Sequence, residues 1–98
     1  MLIRIVRMTF APEKIEAFLV NFEANKAQIR GFAGCQYLAL LRDKDHDNVF
    51  MTYSHWDSEQ SLENYRKSDF FAQVWGFTKA LFADKPVAYS TWCVEELP

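Results

Sequence analysis

The chain has little that bends or braces a backbone. Three glycines and three prolines in 98 residues leave small room for long flexible loops. Its two cysteines, Cys35 and Cys93, form neither a CxxC pair nor a disulfide framework. Lysines and arginines are scattered and the net charge is −2, so neither nucleic acid nor an anionic membrane is an expected partner. No run approaches the ~18 consecutive apolar residues of a membrane span. The segment Met1-Leu2-Ile3-Arg4-Ile5-Val6-Arg7 alternates at a period of two and is interrupted by arginines, unlike a signal peptide. These absences point to a cytoplasmic protein of bacterial type.

What is present is apolar and aromatic. Half of the residues are hydrophobic, with nine Phe, three Trp and four Tyr, which argues against disorder. Length favours a single domain over residues 1–98. Residues 2–9 carry β-branched Ile3, Ile5 and Val6 and predict a strand. Pro12 suits a first helical turn. Ile15, Phe18, Leu19, Phe22 and Ile29 then form one apolar stripe of about four to five helical turns, ended by Gly31. Strands are predicted over 35–42 and 49–56, joined by the polar hairpin Asp43-Lys44-Asp45-His46-Asp47-Asn48. Asp57 or Ser58 caps a short helix, with Gln60 placed as in a capping box. Ser68 caps a second segment. The helical region extends to about Ala83 with a kink near Ser68, and Pro86 precedes a last strand over 87–94.

The order β, α, β, β, α, β with right-handed crossovers specifies an α+β, ferredoxin-like βαββαβ fold. One antiparallel sheet then carries the helices on one face. The second and last strands lie on opposite edges, so Cys35 and Cys93 are too far apart to bridge. Both faces of the strands are apolar. The third strand offers Val49, Met51 and Tyr53 on one side and Phe50 and Trp56 on the other. The second offers Tyr37, Ala39 and Leu41 against Leu38 and Leu40. A sheet with one wet face alternates more cleanly. Helices cover one face only, so a second copy of the same sheet is the expected cover, in a two-fold homodimer.

Chemistry is sparse. Asp43-x-Asp45-x-Asp47 begins like a calcium loop, but the turn glycine and the bidentate Glu are missing, and a solvated hairpin tip is expected. No serine triad, phosphate loop, dinucleotide fingerprint, catalytic carboxylate pair or metal cluster stands in the sequence. His55 shares a strand face with Met51 and Tyr53 near the following helices and is a candidate general base. Tyr65, Phe71, Trp75 and Phe82 fall at helical spacing and read first as core. Tyr65 and Trp75, ten residues apart, share a face if the helix is continuous.

The segment Phe50-Met51-Thr52-Tyr53-Ser54-His55-Trp56-Asp57-Ser58-Glu59, continuing through Leu62, Tyr65 and Ser68 to Phe71, resembles the antibiotic biosynthesis monooxygenase family. The first strand, Pro12 and Gly34 also fit. The resemblance implies a dimeric α/β barrel and O2-dependent oxidation of quinols or related aromatics without flavin or metal. It therefore implies no cofactor, and a small aromatic molecule as ligand. Catalytic roles fall to His55, Tyr65 and Trp75, with Tyr53, Met51 and Phe71 contacting substrate and His55 or Tyr65 removing the phenolic proton. All three catalytic side chains are expected in one cavity. A haem-degrading branch is similar, but it uses a Trp where Tyr65 stands and a haem-ligating His where Trp75 stands. Its Asn on the first strand has no counterpart here, where Arg4 and Arg7 occur. The alternative is a non-catalytic ligand-binding or structural barrel.

Overall fold

The computed structural model describes residues 1–98. Its strands are β1 (Leu2–Thr9), β2 (Cys35–Arg42), β3 (Val49–Trp56) and β4 (Val87–Trp92). They pair antiparallel in the order β2-β3-β1-β4, which is the ferredoxin-like arrangement. β2 and β4 are the edges, and both cysteines are free.

Pro12 opens a single 3-10 turn, and helix α1 follows over Ile15–Arg30. Its stripe is buried at Phe18 and Ile29, with Ile15, Leu19 and Phe22 packed beside them. Gly31 ends α1 in an ordinary right-handed conformation. The glycine that requires its freedom is Gly34, at φ +91°. Its carbonyl accepts the Asp57 N–H at 2.9 Å. A Cβ there would lie 2.3 Å from Ser61 Cβ, so only glycine lets the start of β2 touch the start of the next helix.

The expected kinked helix is two helices, α2 (Glu59–Arg66) and α3 (Asp69–Lys79). Ser58 Oγ accepts the Ser61 N–H at 3.1 Å and is the cap of α2. Gln60 closes no capping box and donates to Asn64 Oδ1 instead. Ser68 makes the break between α2 and α3. Its hydroxyl donates to the Tyr65 carbonyl at 2.6 Å and accepts the Phe71 N–H at 3.1 Å, ending one helix and starting the next. α3 stops at Lys79, short of the expected Ala83. In the β2–β3 hairpin, Asp43 Oδ1 accepts the N–H groups of Asp45 and His46, so this acid serves the turn. Those bonds hold the Asp43 carboxyl below the usual carboxylate range.

Register decides which residues face the helices. Leu2 pairs with Trp56 and Trp92, Arg4 with Ser54 and Ser90, and Val6 with Thr52 and Ala88. Those residues share the helix side with Met8 and Phe50. Two buried clusters lie there, one around Leu2, Ile29, Trp56, Leu62 and Tyr65, the other around Met8, Phe10, Phe18 and Phe50. The opposite face has no helix on it and shows Tyr37, Leu41, Val87 and Tyr89 to solvent. No helix is long and apolar enough to cross a membrane.

Candidate active site

A cavity of about 300 Å³ lies between the helix side of the sheet and the three helices. That volume is at the lower end of ligand pockets and suits a small flat molecule. Its floor comes from β1 and β3 through Arg4, Val6, Thr52 and Ser54, and its aromatic wall from Trp56, Tyr65, Phe71 and Trp75.

The wall is a continuous series of ring contacts. Trp56 stacks on Tyr65 at 5.1 Å between ring centres, and Phe71 meets Tyr65 edge-on at 5.0 Å. Phe71 and Trp75 then stack at 5.9 Å with 11° between planes. Trp56 is 1% exposed, and its Nε1 donates to Ser54 Oγ at 3.0 Å, which fixes the indole. Trp75 is half-buried and forms the outer part of the wall.

Tyr65 is the single tyrosine of the lining. Burial, with a smaller contribution from Cys35 beside it, pushes its phenol well above the usual tyrosine range. It stays protonated at neutral pH and can donate a hydrogen bond, so it is unsuited to act as a base. Cys35 is pushed up as well, mainly by burial, which makes it a poor thiolate nucleophile.

The structure thus brings Tyr65, Phe71 and Trp75 together and leaves out the other three candidates. His55, Tyr53 and Met51 point to the opposite face. His55 pairs in register with Ile3 and Tyr37, whereas its neighbour Trp56 pairs with Leu2 and Cys35. His55 stacks on Tyr37 at 4.8 Å and meets Tyr53 at 5.1 Å. The expected convergence of His55 with Tyr65 and Trp75 fails because successive side chains of a strand point to opposite faces. His55 Nε2 is buried there without a hydrogen-bond partner.

The cavity also contains residues outside the sequence-derived set: Arg4, Arg66, Thr52 and Ser54. Arg4 carried a signal, because it alternates with Leu2, Val6 and Met8 and so occupies a position that otherwise reads as core. Burial, together with the charge of Arg66, lowers the Arg4 pKa, with Glu63 opposing. No group of three or more His, Cys, Asp or Glu is arranged to hold a metal.

The sequence pattern of the antibiotic biosynthesis monooxygenase family matches residues 1–74. The chain belongs to that family. A solved antibiotic biosynthesis monooxygenase superposes with a TM-score of 0.87 at 17% identity, covering 100% of both chains. A conserved protein from Methanosarcina mazei Go1 gives a TM-score of 0.86 at 18% identity, covering 92% of this chain and 90% of that one. At such identities the likeness shows the fold alone. The heme-degrading monooxygenase of Listeria welshimeri serovar 6b is 39% identical over 54 residues, covering 54% of this chain and 44% of that protein. The chain spans less than half the length of the curated relatives it matches.

The cavity of this family member does not fit haem iron well. Neither His nor Cys lines it. Met8 is packed among Phe10, Phe18 and Phe50, and the Tyr65 phenol is held neutral. An axial ligand to iron is normally an imidazole, a thiolate, a thioether free to bind or a tyrosinate.

Proposed function

We propose that the protein is a cofactor-independent monooxygenase that oxidises a small electron-rich aromatic, of the quinol or phenol type, with O2. The observation that supports this reading is the aromatic wall of Trp56, Tyr65, Phe71 and Trp75 along one small cavity. Flat rings stack on such a wall, and a ring bound there displaces water from the site. The substrate supplies the electrons. A phenol or quinol with a free ortho or para ring carbon loses its hydroxyl proton and the hydrogen on that carbon; one oxygen atom enters there as a quinone carbonyl and the other leaves as water. The cavity offers no general base, since His55 faces away and Tyr65 holds its proton. Substrate therefore reacts as an anion that is stabilised on binding.

The test is oxygen consumption by metal-free protein against a panel of hydroquinones and naphthols. Uptake that depends on substrate and survives chelators supports the reading. The missing base favours one alternative, a barrel that binds an aromatic without turnover, and binding with no uptake across the panel selects it.

We also propose a homodimer through the helix-free face of the sheet. Ile3, Ile5, Tyr37, Leu41, Tyr53 and Tyr89 make that face apolar, and the unpartnered His55 Nε2 lies within it. A second copy of the face supplies both apolar cover and a polar partner for the imidazole.

A further inference from the structure

Two guanidinium groups and no carboxylate occur among the nineteen residues that line the cavity. In a largely apolar cavity this is an unbalanced arrangement. Arg4 rises from the centre of the sheet, on the face where its in-strand neighbours Leu2 and Met8 are core. Ser90 on β4 orients it by accepting from Nη1 at 2.9 Å, and this is the one side-chain hydrogen bond its five donors make. Arg66 ends α2 at the rim, lining both the cavity and the groove beside it.

The nearest acid does not balance the pair. Glu59 and Glu63 line the neighbouring groove rather than the cavity, and Glu63, 3.7 Å from Arg66 Nη1 and 3.5 Å from Lys67 Nζ, divides its charge between those two cations. Like charges held together in a partly desolvated site are costly unless an anion joins them. A guanidinium pair lining one cavity is suited to an oxyanion, which it can bind with several charge-assisted hydrogen bonds.

We propose that Arg4 and Arg66 form an anion clamp, and that the molecule this cavity takes is a flat aromatic bearing an acidic oxygen group. The ring stacks along Tyr65, Phe71 and Trp75 while the oxyanion lies between the guanidiniums at the rim. This rests on the cavity being the ligand site. It also answers the lack of a base, because the clamp stabilises the anionic form of whatever acidic group enters. A carboxylate and an ionised phenol share this chemistry.

The test compares 2-naphthoate with its neutral analogue 2-naphthamide at pH 7, by quenching of tryptophan fluorescence. Naphthoate should bind at least about tenfold more tightly, as a charge-assisted interaction implies. Arg66→Gln should remove most of that preference, and Arg4→Gln the remainder. Arg66 is nearly half exposed at a helix end, so its replacement leaves the fold intact, as a thermal melt will show. A third probe, 2-naphthol at mildly alkaline pH, separates the two sources. Appearance of naphtholate absorbance on binding marks the phenolate as a natural ligand form, whereas preference for naphthoate without that change marks the carboxylate. Equal affinity for naphthoate and naphthamide, or a preference that survives both substitutions, overturns the clamp and leaves the cavity as a ligand site. Binding of none of the probes overturns both.

Discussion

Trp56 and His55 are neighbours on β3, yet their rings belong to different compartments. Trp56 stacks on Tyr65 in the cavity, while His55 stacks on Tyr37 on the helix-free face. The strand separates the two sets of rings. His55→Ala should accordingly leave any oxygen uptake per active site within about twofold of wild type, well short of the ~10²- to 10⁴-fold loss of a proton-transferring group. Steady-state rates at saturating substrate decide this, and a loss of a hundredfold would restore His55 as the base.

The helix-free face should pair two chains. Sedimentation at micromolar concentration should give one species of twice the chain mass. Ile5 sits mid-face between Tyr53 and Tyr89. Ile5→Glu should yield folded monomer, since an unpaired buried charge costs about 3–5 kcal/mol. A wild-type monomer contradicts the proposed pairing.

The two cavity tryptophans should differ in their contribution to stability. Trp56 is fully enclosed, and Trp56→Ala should cost about 3–5 kcal/mol. Trp75 is half-buried, so Trp75→Ala should cost less, about 1–3 kcal/mol. Trp75→Ala should also weaken binding of aromatics. Urea melts of both variants measure the difference.

Tyr65 should make the protein sensitive to alkali. The folded state holds its phenolic proton more tightly than the unfolded chain does, where tyrosine titrates near ~10. This contribution is fully present below that value. As pH rises above it, the unfolded chain loses its proton first and folding stability falls. Ultraviolet titration should show one tyrosine that ionises only with unfolding, and Tyr65→Phe should remove that component.

The fold was legible because each element carries a local signal: alternation in the strands, the stripe of α1, and serines at the helix starts. The split between α2 and α3 was visible only as a kink, because Ser68 fits either reading until its hydroxyl is seen closing on the Tyr65 carbonyl. The site was half legible. Parity grouped Met51, Tyr53 and His55 correctly on one face, but it could not say which face meets the helices. The helix side of β1 and β3 holds Arg4, Thr52 and Ser54 because it lines a cavity, whereas the outer face holds Ile3, Ile5 and Tyr53. A face that reads as wetter was the inner one. Tyr65 and Trp75 line one cavity from two helices, with Phe71 between their rings.

Ligand is expected to enter the cavity on the helix side of the sheet. Three indoles report on it: Trp56 and Trp75 line the cavity, and Trp92 on β4 lies outside it, 59% exposed. A titration with 2-naphthoate, followed through the three indole N–H signals in a ¹H–¹⁵N spectrum, tests the placement directly. Large shifts of the Trp56 and Trp75 signals are expected, with little change at Trp92. Saturable binding that leaves Trp56 and Trp75 unmoved would contradict that placement.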